Sequence, residues 1–497
     1  MSRTSQKTPF NHLGPMAAVA GPLFPLRALL APVVLLAGLG ACALGPDYEP
    51  PKAALPTQWS APLPQSGRTG ALINWWTRFN DPVLTRLLEK AEADSPSLAE
   101  AWANIASARA TLGSDESAFF PQITTDASFK RTRQESMGMA TIGNTLSGSL
   151  DASWEIDLFG KVRRTTEAAG ARLQARIDDW HDARVSLAAE VADTYIQYRA
   201  CRLLAQAYAD EAGSQRQTAQ ALATSVAAGF TTPADGALAQ ASAASATATL
   251  TQQNAECDVL VKALSALTGL DDPALRTQLA QGPDRLPDPA GFQVAAVPAQ
   301  ALTQRPDLAS LERELAAASA EIGAAQADRL PSLSLTGTVA KTGSSLQSMA
   351  LSWGFGPALT LPLFDAGKRA AAVDSARATF DAKQARYENG LRTAVKEVEQ
   401  ALVRLDGAAR RTDDARAAAD GYRRYFEATN RNWQAGGASL LDREEARRNA
   451  LGAEITLITV ERDQIQYGIA LYKALGGGWT PDAPARAPAT TTPGGTR

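Results

Sequence analysis

The stretch ASWEIDLFGKVRR (Ala152–Arg164) opens with alternating side chains and closes on a glycine, a lysine and two arginines, and LTLPLFDAGKRAA (Leu359–Ala371) does nearly the same some two hundred residues later. Alternation predicts a strand whose two faces meet different surroundings. A glycine followed by basic residues and an Ala-rich run predicts a corner where that strand passes into a helix. Leu158-Phe159-Gly160-Lys161 answers Leu363-Phe364 and then Gly367-Lys368, with two extra residues in the second copy. Gly160, Lys161, Gly367 and Lys368 are therefore read as the two strand-to-helix junctions.

Working outward from these corners, the whole chain reads as one unit written twice. Ser95–Ile123 aligns without a gap against Arg305–Leu333, with Pro96 answering Pro306, Leu98 answering Leu308 and Pro121 answering Pro331. Ala227–Gln240 likewise answers Gln434–Arg447. Each unit opens with a helix, Asp81 to about Gly113 or Ala299 to about Ala327. A strand pair follows, within about 118–158 or about 330–363, divided by loops holding Gly138, Gly143 and Gly343. Then comes a very long helix, Thr165–Ala228 or Lys368–Trp433, which turns at Gly229 or at Gly436-Gly437 and returns. Its apolar positions Leu173, Ile177, Trp180, Leu187 and Val191 form a coiled-coil seam, interrupted by Arg184. The expected divisions are 1–41 leader, 42–80 extended segment, 81–270 first repeat, 271–298 linker, 299–475 second repeat and 476–497 flexible tail.

Composition narrows the function. Over 497 residues the net charge is -3 with no basic footprint, which argues against nucleic acid. Two histidines, His12 and His181, are too few for a histidine-built metal site, and His181 reads as solvated helix surface in the charged turn Asp178–Asp182. GGGW (Gly476–Trp479) is a chain break, because no helix and lysine follow to complete a phosphate loop. No catalytic constellation, cofactor site or metal site is expected, so the chain is not read as an enzyme. Cys201 and Cys257 lack CxxC spacing and read as buried structural cysteines, single or paired with each other in an oxidising compartment.

The leader carries Arg3, Lys7 and Arg27, a second start at Met16, and the apolar run Ala28–Ala41 before Cys42. That run is too short for a spanning helix and suits a signal peptide. Leu39-Gly40-Ala41-Cys42 has the pattern of a bacterial lipoprotein signal, predicting N-acyl and S-diacylglycerol groups on Cys42. Ala43 at the next position favours the outer membrane. Four strands cannot close a barrel by themselves, and an open sheet cannot face lipid with its backbone unpaired, so strands of other chains must complete it.

LGACALGPDYEP (39–50), WWTRFNDPVLTRLLEKA (75–91), WEIDLFGKVRR (154–164), QRPDLASLE (304–312), LPLFDAGKR (361–369) and LYKALGGGW (471–479) together resemble the outer-membrane factor family, the TolC-like channels, in its NodT/OprM-like lipoprotein branch. The resemblance implies a homotrimer in which four strands per chain make a 12-stranded membrane β-barrel. Long coiled-coil helices would continue it as an α-helical periplasmic tunnel, with 59–76, 270–298 and the chain after Ala474 around its middle. It implies an outer-membrane, lipid-anchored exit duct that passively conducts drugs or other small molecules from an inner-membrane RND-type transporter and a periplasmic membrane-fusion adaptor. A type I secretion or metal-export duct, or a non-conducting structural envelope lipoprotein, stands as the alternative. In such relatives acidic residues at the positions of Asp442 and Glu445 project into the tunnel near its periplasmic constriction. Trp433 stands where relatives place the gate's aromatic residue, and Ala438 where they place a basic one, leaving Arg431 or Arg443 to serve instead. The turns, with Gly229, Asp235, Gly236, Gly436, Gly437 and Ser439, would meet the adaptor.

Overall fold

The computed structural model describes residues 43–51, 59–61, 75–136, 139–287, 302, 305–345, 347–479 and 485. The leader, His12, Met16 and Cys42 lie outside them. After a short 3-10 turn (Trp75–Phe79), the first repeat runs α1 (Pro82–Asp94), α2 (Pro96–Ser117), β1 (Gln122–Ser136), β2 (Met139–Ile156), α3 (Lys161–Ala227) and α4 (Pro233–Thr268). A short α5 (Asp272–Leu279) leads on to α6 (Pro306–Ala327), β3 (Ser332–Ser344), β4 (Gln347–Thr360), α7 (Lys368–Gln434) and α8 (Leu440–Ala474). Both long helices have 67 residues, roughly 100 Å of axis at 1.5 Å per residue.

The helix expected from Asp81 to Gly113 is two helices. Ser95 ends α1 in an extended conformation and caps α2 through its hydroxyl, with Pro96 in the first turn, where its missing N–H is no loss. In the second copy Pro306 opens α6 directly; Leu302 just before it is helical, and the start expected at Ala299 lies outside the described residues.

The four strands form one antiparallel sheet in the order β1-β2-β3-β4. Ser136 pairs with Met139 and Ser344 with Gln347, so each hairpin connection has two residues. Of the three glycines expected to divide the strands, two do not do so, and Gly138 lies outside the described residues. Gly143 pairs with Thr132 inside the β1–β2 ladder, and Gly343 lies inside β3 opposite Leu146. A glycine lacks a side chain but keeps both backbone hydrogen-bonding groups, so the pairing continues through it. Register sorts the residues cleanly into two faces. One carries Ile123, Phe129, Leu146, Leu150, Trp154, Leu335, Val339, Trp353, Phe355 and Leu359, mostly well exposed; the other carries Thr124, Asp126, Ser128, Ser147, Ser149, Asp151, Thr336 and Thr338. Leu158, Leu361 and Leu363 lie just past the strand ends. No helix among the described residues is long and apolar enough to cross a membrane, so the sheet is the only described element with a lipid-compatible face.

The helices stand side by side. Near the sheet α3 packs against α2 and α6, and α6 against α7; further down α3 packs against α4 and α8, and α8 against α7. At mid-height the apolar core gathers Trp75, Phe79, Leu84, Leu87, Ile196, Leu264, Leu275, Leu402, Ile465 and Leu475. Asp81 caps α1 and also accepts the Tyr195 hydroxyl at 2.6 Å, tying α1 to α3. Arg305, buried, donates to Asp307, Glu397 and the Ala474 carbonyl, tying the start of α6 to α7 and the end of α8.

The structure also decides between the readings of the cysteines, changes that of His181, and places Trp479. Cys201 and Cys257 form a disulfide between α3 and α4 across 5.6 Å of Cα separation, and are not single cysteines. His181 is buried, its ring beside Trp180 and Trp479. Trp479 is buried as well, and Ala485 packs on the Trp180 cluster, so the chain after Ala474 does not leave the body at once.

Candidate functional site

Two places carry the chemistry of a conduit: the corners where sheet becomes helix, and the tips where the helices turn.

At the first corner Gly160 adopts φ +79, and a Cβ there would come within 2.8 Å of the Ala43 Cα. Only glycine suits both the left-handed conformation and the close approach. The Asp157 carboxylate accepts the N–H groups of Val162 and Arg163, filling the first turn of α3. At the second corner Ala366 and Gly367 both have positive φ, and Asp365 accepts the N–H groups of Gly367 and Arg369. The two extra residues thus shape the bend. Asp328, at the end of α6, accepts Lys161 at 2.6 Å and Arg369 at 3.2 Å, so one carboxylate joins both corners. The Lys161 hydrogen bond holds its carboxyl below the usual range. Sequence reading missed Asp157, Asp365 and Asp328, although an aspartate just before a helical run is a recognisable capping signal.

Arg164, one of the basic residues that follow the first corner's glycine, is buried. It donates to the Leu44 carbonyl, Asp47 and Glu167, at 2.8–3.0 Å. Leu44 N–H donates to the Phe159 carbonyl, and Gly45 lies against Gly323. The segment Ala43–Asp47 is therefore strapped onto the first corner.

At the tips the repeats again share a plan. Gly229 and Gly436 turn the chain at φ +77 and +79. Thr232 and Ser439 then cap the returning helices, each accepting an N–H three residues on, from Asp235 and Asp442. Both aspartates answer the cap: Asp235 accepts the Thr232 hydroxyl, and Asp442 accepts the Ser439 hydroxyl and N–H. These bonds hold the Asp442 carboxyl below its ordinary value. Asp442 and Glu445 are both exposed; Asp442 is bound into this capping box, and among the described residues Glu445 forms no ion pair.

Of the two arginines named for the second tip, Arg431 and Arg443, it is Arg443 that makes contacts there. Its guanidinium lies 4.7 Å from the centroid of the Trp433 ring and donates to Asn430 on α7, Glu444 on α8, and Thr218 and Ser214 on α3. Trp433 is used through its ring face. Arg431 is exposed. Sequence reading missed the second layer: Glu444 also pairs with buried Arg447, which reaches Glu211 on α3 at 3.4 Å. Gly437 lies against Asn432, whose amide donates to the Gly437 carbonyl, and Gly236 lies against Val226. Among the described residues no group of three or more His, Cys, Asp or Glu is placed to hold a metal ion.

The family model "Outer membrane efflux protein" matches residues 87–270 and 297–477, one match for each repeat. The solvent efflux pump outer membrane protein SrpC of Pseudomonas putida is 30% identical over 463 residues, spanning 90% of this chain and 98% of that protein. Nodulation protein T of Rhizobium leguminosarum bv. trifolii is 28% identical over 454 residues, spanning 90% and 97%. Among solved structures, the Campylobacter jejuni CmeC outer membrane channel superposes with a TM-score of 0.80 at 26% identity, covering 89% of this chain and 97% of that one. The outer-membrane channel OprN superposes with a TM-score of 0.77 at 29% identity, covering 88% and 100%.

Proposed function

The chain belongs to the outer membrane efflux protein family and is an outer-membrane channel component of a bacterial efflux system; within that role we propose a homotrimer that passively conducts drugs, solvents or other small molecules delivered by an RND-type pump through a periplasmic adaptor. The observation that carries this reading is the open four-stranded sheet, apolar on one face and polar on the other, set on helices roughly 100 Å long. Three such sheets close a barrel with no lipid-exposed edge.

The valve in this reading is the second tip. Arg443 fastens the α7–α8 turn to α3, and releasing that fastening lets the hairpin swing. Glu445 and the outward oxygen of Asp442 supply negative charge that favours cations and opposes closure by repulsion between copies. The turns at Gly229–Gly236 and Gly436–Leu441 receive the adaptor. Cys42 carries the lipid: Ala43 touches Gly160 at the end of the membrane strand, the depth at which an acyl anchor enters the bilayer.

Purified trimers in planar bilayers test the function. Stepwise cation-favouring currents are expected, with selectivity reduced in Asp442→Asn/Glu445→Gln. Trimers that insert but carry no current, with or without that pair, would leave the structural-lipoprotein reading in its place.

A further inference from the structure

Three cations break the apolar face of the sheet, and they share one end of it. Arg131 and Arg133 lie on β1 in register with Phe129 and Ile123, on the face that turns to lipid. Lys341 lies on β3 two residues beyond Val339, on the same face. All three side chains are exposed. Each sits within a few residues of its hairpin turn, Ser136–Met139 or Ser344–Gln347, the end of the sheet opposite the helices. With the helices in the periplasm, that end is the outer leaflet. Lys130, their neighbour, points the other way, in register with the polar face.

A cation on the lipid side of a barrel strand costs about 2–4 kcal/mol at mid-depth and close to nothing at the interface, so these residues mark the upper border of the hydrocarbon. Their counter-charge is small: Glu135 stands 3.8 Å from Arg133, exposed, and among the described residues Arg131 and Lys341 form no ion pair. Guanidinium groups at an interface match phosphate by two parallel hydrogen bonds, and a nearby ammonium adds a point charge. The outer leaflet of such a membrane presents phosphorylated glycolipid, whose acyl chains would lie along exposed Leu150, Val339, Trp353 and Phe355, on the same face and nearer the helices.

We infer that Arg131, Arg133 and Lys341 form a binding site for the phosphate groups of outer-leaflet glycolipid. The inference rests on the outer-membrane reading, and its failure would leave conductance untouched. The test adds bis-phosphorylated lipid A, the same lipid stripped of phosphate, or inorganic phosphate to the purified full-length trimer, read by native mass spectrometry. Adducts with the phosphorylated lipid alone are expected, reduced about tenfold in Arg131→Ala/Arg133→Ala/Lys341→Ala. Retention by the Arg131→Lys/Arg133→Lys variant and by Lys130→Ala would separate charge on this face from folding. Equal adducts in the triple-alanine variant, equal adducts with the stripped lipid, or equal binding of free phosphate would each overturn the inference.

Discussion

The two helical hairpins are copies of one design, and they differ in what holds each pair together. Counted from Gly160 and Gly229, Cys201 and Cys257 fall at the places that Ala408 and Gln464 occupy when counted from Gly367 and Gly436. The first hairpin is thus covalently joined where the second has the Thr412 hydroxyl donating to Gln464 at 3.0 Å and, one turn along, Arg416 paired with Glu461 at 2.9 Å. At the tips Val226 and Gly236 stand where Trp433 and Arg443 stand in the second copy. One pair is a close van der Waals contact within its own hairpin; the other is a charged stack reaching out to α3. The caps, Thr232–Asp235 and Ser439–Asp442, are the same. Duplication kept the turn and changed the fastening: the first hairpin is fixed within itself, and the second is held by a neighbour.

The strongest way to break this contrast is to cut the disulfide. Closing a 56-residue loop is worth about 4 kcal/mol in the chain-entropy account. Cys201→Ser/Cys257→Ser should raise amide hydrogen exchange in α4 by orders of magnitude while α8 stays as it was. Equal loosening of both hairpins would mean they were never independent. Next in size, Arg443→Ala removes charged hydrogen bonds and the stack on Trp433, about 2 kcal/mol in total, or roughly a 30-fold shift from the closed toward the open tip. Larger single-channel current with an unchanged trimer melting temperature is the expected reading. An unchanged current would remove Arg443 from the valve.

The smallest effect concerns pH. α3 buries Asp178, with its carboxyl pushed up to about 7, and Asp182, pushed up to about 6, where α7 has Ala385 and Asn389. Burial is the main cause for both. Arg313 opposes it for Asp178 while Asp179 and Glu312 add to it; Asp307 and Asp179 add to it for Asp182, against Lys473 and Arg305. Between the ordinary carboxylate value and about 7 the native state binds more protons than the unfolded chain, so stability falls as pH rises through that window. The melting temperature should rise from pH 8 to pH 5.5, and Asp178→Asn should flatten the slope. A slope unaltered by that substitution would show that Asp178 is not its source.

The duplication, the corners and the tips were legible because each is written locally: a strand alternates, a glycine permits a left-handed bend, and an aspartate three residues after a serine or threonine completes a cap. Burial was not. Arg164 looked like one more basic residue of a corner until Ala43–Asp47 closed over it. His181 looked solvated because its sequence neighbours are charged, yet Trp479 comes from the far end of the chain to cover it. The cysteine pair likewise depends on two helices lying in register, which spacing alone does not reveal. Arg443 was named from the family's gate, but its partners on α3 belong to the other repeat.

The strand connections of two residues have a consequence for how the cell meets its surroundings. No loop rises from these hairpins to be grasped. An antibody or a phage approaching from outside meets strand ends, Gln134–Ser136 paired with Met139–Thr141, in place of a long loop. Such a mouth offers little surface for immune or viral recognition, and it leaves the duty of shutting out toxic solutes to the opposite end of the tunnel.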